Sequence, residues 1–174
     1  NNRIMGGSFN TIGGGKNNTL SGACGFIGTG VDHQIHSNYS AVLAGSTNKI
    51  YSCANSSGIL AGRTNCIKTE SKNAIIVGGN CNTLSAIGGF LGGGNKNKIQ
   101  GYGADNSVLV GGDSNFLSGG LRNFIGGGFR NSIEGLKTCQ SFIGGGRSNK
   151  IFSCNTSTIA GGCGNEINGS FNTI

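Results

Sequence analysis

Six carboxylates make up the whole acid–base capacity of this chain: Asp32, Glu70, Asp105, Asp113, Glu134 and Glu166. General acid–base work needs such groups paired in one place, and these recur at no common spacing. His33 and His36 lie close together but have no third ligand nearby in sequence, so a turn role fits them better than a metal. The seven cysteines, Cys24, Cys53, Cys66, Cys81, Cys139, Cys154 and Cys163, contain no CxxC pair. Structural zinc needs clustered ligands at set spacings. Scattered as they are, these thiols read as small apolar filler, with pairing between subunits left open. GGGK at 13–16 lacks the spacing of a phosphate loop, and no GxGxxG stands between a strand and a helix. The expectation is a protein that is not an enzyme, with no cofactor, no metal and no small-molecule substrate.

What does recur is the scaffold. An aliphatic residue, taken as position zero, returns at Ile12, Ile27, Val42, Ile59, Ile76, Leu91, Leu109, Ile125, Ile143, Ile159 and Ile174, spaced 15 to 18 residues apart. Three residues after zero stands glycine every time: Gly15, Gly30, Gly45, Gly62, Gly79, Gly94, Gly112, Gly128, Gly146 and Gly162. Six after zero stands asparagine: Asn18, Asn48, Asn65, Asn82, Asn97, Asn115, Asn131, Asn149 and Asn165, with His33 as the exception. Eight after zero comes Ile or Leu, from Leu20 to Ile167. All length variation falls between position +9 and the next −3. Repeats of this length with insertions confined to one edge are the mark of a solenoid.

The spacing has a direct physical reading. Side chains alternate along a strand, so −2, 0 and +2 are expected to share one face: small, aliphatic, small. The glycine at +3 then turns the chain in a left-handed backbone conformation. Positions +6 and +8 share a face on a second short strand. The predicted fold is all-β: a parallel β-solenoid or β-roll of about ten coils with two short strands each, over 1–174 as one repeat domain. Asparagine repeated at one phase predicts a ladder, its amide donating to one neighbour and accepting from another, as in stacked cross-β assemblies. Turn formation is the competing reason for asparagine there.

The outer face of the first strand is apolar too: Phe26, Leu43, Leu60, Ile75, Val77, Phe90, Val108, Val110, Phe124 and Phe142. Strands apolar on both faces are buried on both, and a monomer rarely leaves so long a stripe in water. The second strand points Lys49, Lys68, Lys98, Gln100, Lys150 and Glu166 outward. The first sheets are therefore expected to meet in a homo-oligomer.

Composition agrees with order through repetition. Glycine is 36 of 174 residues, proline is absent and only 11% are charged, whereas disorder normally brings proline and charge. No run is long and apolar enough to span a membrane. The chain opens and closes in mid-repeat, which suggests a segment of a longer protein. Five N-x-[ST] sequons, at Asn17, Asn38, Asn55, Asn155 and Asn168, are close to the roughly four that chance gives at this composition. The net charge is +7, and nine of the thirteen basic residues fall between +4 and +7. Stacking is expected to line Lys49, Arg63, Lys98, Arg147 and Lys150 into a basic stripe that attracts anionic glycans. The plainer reading is solubility and protection of the edges.

The S-x-[IV]-x-G-G rhythm and two-strand coils resemble the head repeats of trimeric autotransporter adhesins, with related repeats in phage and viral fibres. The likeness covers the whole chain at the level of the repeat. Family coils are nearer fourteen residues, and the +6 asparagine and GGG turns depart from them. The resemblance implies a left-handed β-roll, three chains wound around one axis, and a rigid extracellular, cell-surface or virion-surface fibre that assembles end to end. A tail-fibre module that binds host glycans is the alternative.

Overall fold

A two-residue strand cannot persist alone, so each strand here depends on the coils on either side. In the computed structural model, which describes residues 1–101, 103–135, 138–152 and 155–174, every zero residue up to Ile159 pairs with the one before it as such a strand. Ten of them, from Thr11–Ile12 to Thr158–Ile159, form one sheet. Positions +7 and +8, from Arg3–Ile4 to Glu166–Ile167, form a second sheet of eleven strands. All pairing is parallel between successive coils and in register, as in Ile75↔Phe90 and Ile76↔Leu91. No helix occurs among the described residues. The fold is the expected β-solenoid, and ten coils at ~4.8 Å each give a rod roughly 50 Å long.

The interior is two facing columns. Ile27 to Ile159 from the first sheet and Leu20 to Ile151 from the second are fully buried. Only Ile, Leu, Val and Ala enter this core, although the chain has nine phenylalanines. All the phenylalanine rings lie outside this core because the coil is too thin to enclose one.

Two details differ from the expectation. Position +2 does not regularly line the interior: Thr29, Ala61 and Ala160 are exposed, and only Gly93 and Gly127 are buried. The first strand ends at zero or just beyond, so alternation stops before it reaches +2. A third ladder also appears. Position +4 bridges coil to coil from Lys16↔Val31 through Asp113↔Phe129 to Arg147↔Cys163.

Each coil turns mainly at two corners with left-handed backbone. One is +5, at Asn17, Asp32, Thr47, Thr64, Cys81, Lys96, Ser114, Arg130 and Ser148; the other is −3, at Phe9, Cys24, Tyr39 and their equivalents. Their φ values of 50–62° lie where non-glycine residues are uncommon and β-branched ones are outliers.

Candidate functional site

The asparagine at +6 makes the bonds that recur most regularly from coil to coil. Asn115 shows the pattern. Its Nδ2 donates to Gly111 O (3.0 Å) within the coil and to Gly128 O (2.9 Å) in the next. Its Oδ1 accepts from the backbone N–H of Asn131 (2.9 Å). Asn48, Asn65, Asn82, Asn97, Asn131 and Asn149 repeat all three bonds. The rungs thus run from side chain to backbone; the amide-to-amide bond from Asn18 Nδ2 to Asn2 Oδ1 (3.2 Å) is an addition at the first coil. Both inter-coil bonds go to the following coil. Asn2 belongs to the same column, accepting from Asn18 N (3.0 Å); its coil's zero position falls before residue 1, which hid it from the count by phase.

The +3 glycines make this possible. Gly128 has φ +87°, and a Cβ there would run into the carbonyl of Gly146 in the next coil and come within 2.8 Å of Asn131 Nδ2. The same close approach to the next coil's glycine recurs from Gly15 to Gly146. Glycine is required here by backbone conformation and by space together.

His33 breaks the column. Its Nδ1 accepts from Asn48 N (3.2 Å), so in the neutral ring the proton sits on Nε2. That Nε2 is buried with no hydrogen-bond partner. Burial pulls the imidazole pKa down, partly offset by nearby backbone groups of Thr29, Gly45 and Asn48 and by Asp32.

The outward face of the first sheet is exposed in the single chain. Phe26 is 41%, Leu43 44% and Val110 46% accessible, and Leu60, Ile75, Val77, Phe90 and Phe142 are similar; Val108 and Phe124 are half-buried. No charged residue occurs at −1 or +1 in any coil. Size is compensated across the pair. Where −1 is Phe (Phe26, Phe90, Phe124, Phe142), +1 is Gly (Gly28, Gly92, Gly126, Gly144); where −1 is Ala41 or Gly58, +1 is Leu43 or Leu60. The Phe90, Phe124 and Phe142 rings lie within 3.3–3.4 Å of where a Cβ on the partner glycine would stand. Phe124 and Phe142 stack at 5.1 Å, with planes 7° apart. The result is a flat, uncharged apolar strip.

The five residues expected to line up as a basic stripe do not adjoin one another from coil to coil. Lys49 sits between Gln34 and Cys66, Lys98 between Thr83 and Phe116, and Arg63 between Ser46 and Asn80. Only Arg147 and Lys150 share a coil. Their neighbours include Phe129, which carries Arg130 at 4.7 Å and Arg147 at 5.9 Å from its ring centroid.

The carboxylates do structural work where bonds are seen. Asp105 accepts from Ile87 N (2.8 Å) across coils. Hydrogen bonds from Ser114 and Asn95 hold the Asp113 carboxyl below its ordinary range. Among the described residues, no three His, Cys, Asp or Glu side chains are placed to hold a metal. Cys24, Cys66, Cys81 and Cys139 are half-buried, and Cys53 and Cys163 exposed, all as free thiols. Burial pushes the Cys66 thiol up, against the pull of Lys68 and Lys49. Cys154 lies outside the described residues. The sequence matches no protein-family model and no curated protein.

Proposed function

We propose that this chain is a length of non-enzymatic surface fibre, in which three copies pack their first sheets around a common axis. The observation that carries this is the strip at −1 and +1: exposed, apolar, without charge along its length and level through size compensation. A monomer gains nothing from matching Phe with Gly and Ala with Leu in water, whereas a facing chain needs an even surface to pack against. The mechanism is rigidity by repetition, with weak contacts multiplied along the rod. An extracellular, cell-surface or virion-surface setting suits such a rod, and end-to-end stacking of its open sheet edges extends it into a filament. Mass in solution tests the reading. The expected value is three chains, and L43K/V110K should yield monomers that remain folded; a stable wild-type monomer would overturn it. The second reading, a tail-fibre module that binds anionic glycans, is favoured by the cation–aromatic cluster around Phe129.

A further inference from the structure

We infer that the corner formed by Phe129, Arg130, Arg147, Lys150 and Phe152 is a docking site for a short anionic segment of a polysaccharide, sulfated or carboxylated. The inference deepens the glycan reading by giving it a place and a length.

Cations and rings meet in two places: at Lys49 and Lys68, both beside Cys66, with Lys68 5.0 Å from the Tyr51 ring centroid, and here, where three cations gather around two rings. Arg130 at +5 and Arg147 at +4 of the next coil both flank the Phe129 ring. Lys150, on the same coil as Arg147, lies 6.0 Å from the Phe152 ring centroid. Three cations thus stand on two successive coils. An aromatic ring under a guanidinium limits its motion and removes part of its hydration, so less order is lost when an anion arrives. Guanidinium groups also suit planar carboxylate and sulfate oxygens, which they can grip with two parallel bonds. Beside Lys150 in register is Ser132, whose hydroxyl is buried without a partner.

Acids set the limits of the site. Asp113 precedes Phe129 in the +4 ladder, Glu166 follows Lys150 in the second sheet, and Glu134 pairs with Phe152. The cationic stretch is therefore about two coils, roughly 10 Å along the rod. That length matches one or two sugar units and is too short for tight binding by one copy. Affinity must come from several copies engaging one polymer. Sugar is favoured over nucleic acid because no ladder of cations continues past these acids to follow a phosphate backbone.

The test uses the whole chain on immobilised heparin and polygalacturonate, with single-stranded DNA for comparison. Wild type should be retained at low salt and released as salt rises. R130S/R147S/K150S should weaken binding by about tenfold or more, with a clearly shallower salt dependence. K16S/K49S/K68S removes the same charge elsewhere and should leave retention nearly unchanged. Circular dichroism checks that both variants fold. Equal loss in both variants would mean net charge alone and overturn the site, as would no retention of wild type at low salt. Tighter binding to DNA than to either polysaccharide would overturn the choice of partner. Mass measured in parallel keeps the proposals separate: a monomer that binds through this corner removes the trimer only, and a trimer that fails to bind removes the corner only.

Discussion

Each coil has two halves, and they obey different rules. The half from −2 to +5 has eight residues in every coil, whereas the half from +6 to the next −3 varies. Yet the second half can reproduce the first. Asn2–Phe9, Asn115–Arg122 and 149–156 are all eight residues long. After the first two comes an asparagine that builds the same rung at the opposite corner, and after the third comes Ser157. Asn10 donates to Gly6 O and Gly22 O and accepts from Gly25 N. Asn123 donates to Gly119 O and Thr138 O and accepts from Ser141 N. Gly7 and Gly120 take the glycine's place there, with φ of +71° and +68°. Elsewhere a serine can serve, as Ser57 does by donating to Ser71 O (2.8 Å) and accepting from Ala74 N (3.0 Å). The underlying unit is thus a half-coil of eight residues, closed by glycine and asparagine. One corner keeps it intact, and the other relaxes it to admit insertions.

Substitutions at matched corners should expose that difference. The largest effect is expected at the fixed corner: Gly128→Ala should cost at least ~3 kcal/mol, because a left-handed backbone and a carbonyl clash coincide. Denaturant unfolding would measure it. Next, Asn115→Ala should cost about 3 kcal/mol by removing three hydrogen bonds and stranding Asn131 N–H and Gly111 O, while Gly128 O keeps its bond from Asp113 N, against about 2 kcal/mol for Ser57→Ala, which removes two good bonds. Equal losses would mean the corners are equivalent after all.

His33→Asn should keep the bond from Asn48 N, add the two donated bonds that His33 Nε2 lacks, and stabilise by about 1 kcal/mol. It should also change the response to acid. The folded pKa of His33 lies below its ordinary value, so the unfolded chain takes up the proton first. The neutral ring's contribution is complete above about pH 6.5 and fades as pH falls beneath that. Protonating Nδ1 would also set a donor against the Asn48 N–H. Wild-type Tm should drop more than that of His33→Asn between pH 7 and 5. Smallest, a two-residue Gly-Ser insertion between Glu70 and Ser71 should cost less than ~1 kcal/mol, and the same insertion between Gly128 and Phe129 should prevent folding.

The strands, both core columns and the glycine column were legible because each repeats one residue type at one spacing. The left-handed corners were not. Position +5 holds Asn17, Asp32, Thr64, Lys96 and Arg130, with no shared chemistry, because the neighbouring coils impose the conformation. The eight-residue half-coil was hidden as well, since −2 alternates among Asn10, Gly25, Ser40 and Ala74. The +2 position was misjudged by carrying strand alternation past the point where the strand ends. Charge was legible in amount and phase but not in contiguity: Lys49, Arg63 and Lys98 share a region of the coil without touching.

The direction of the rungs has a mechanical consequence. Backbone bonds between strands and two of the three bonds of each asparagine connect one coil to the next, so they lie along the rod. Tension applied between the two ends loads them in series, one coil at a time, and not in parallel as in a sheared sheet. Such a rod peels from an end at low force, each coil releasing 15–18 residues of slack, about 50–60 Å when extended. Compression and bending instead meet the whole cross-section of bonds and packed side chains. Side-by-side chains would hold one another's coils closed, making a bundle far more resistant to pulling than its separate strands.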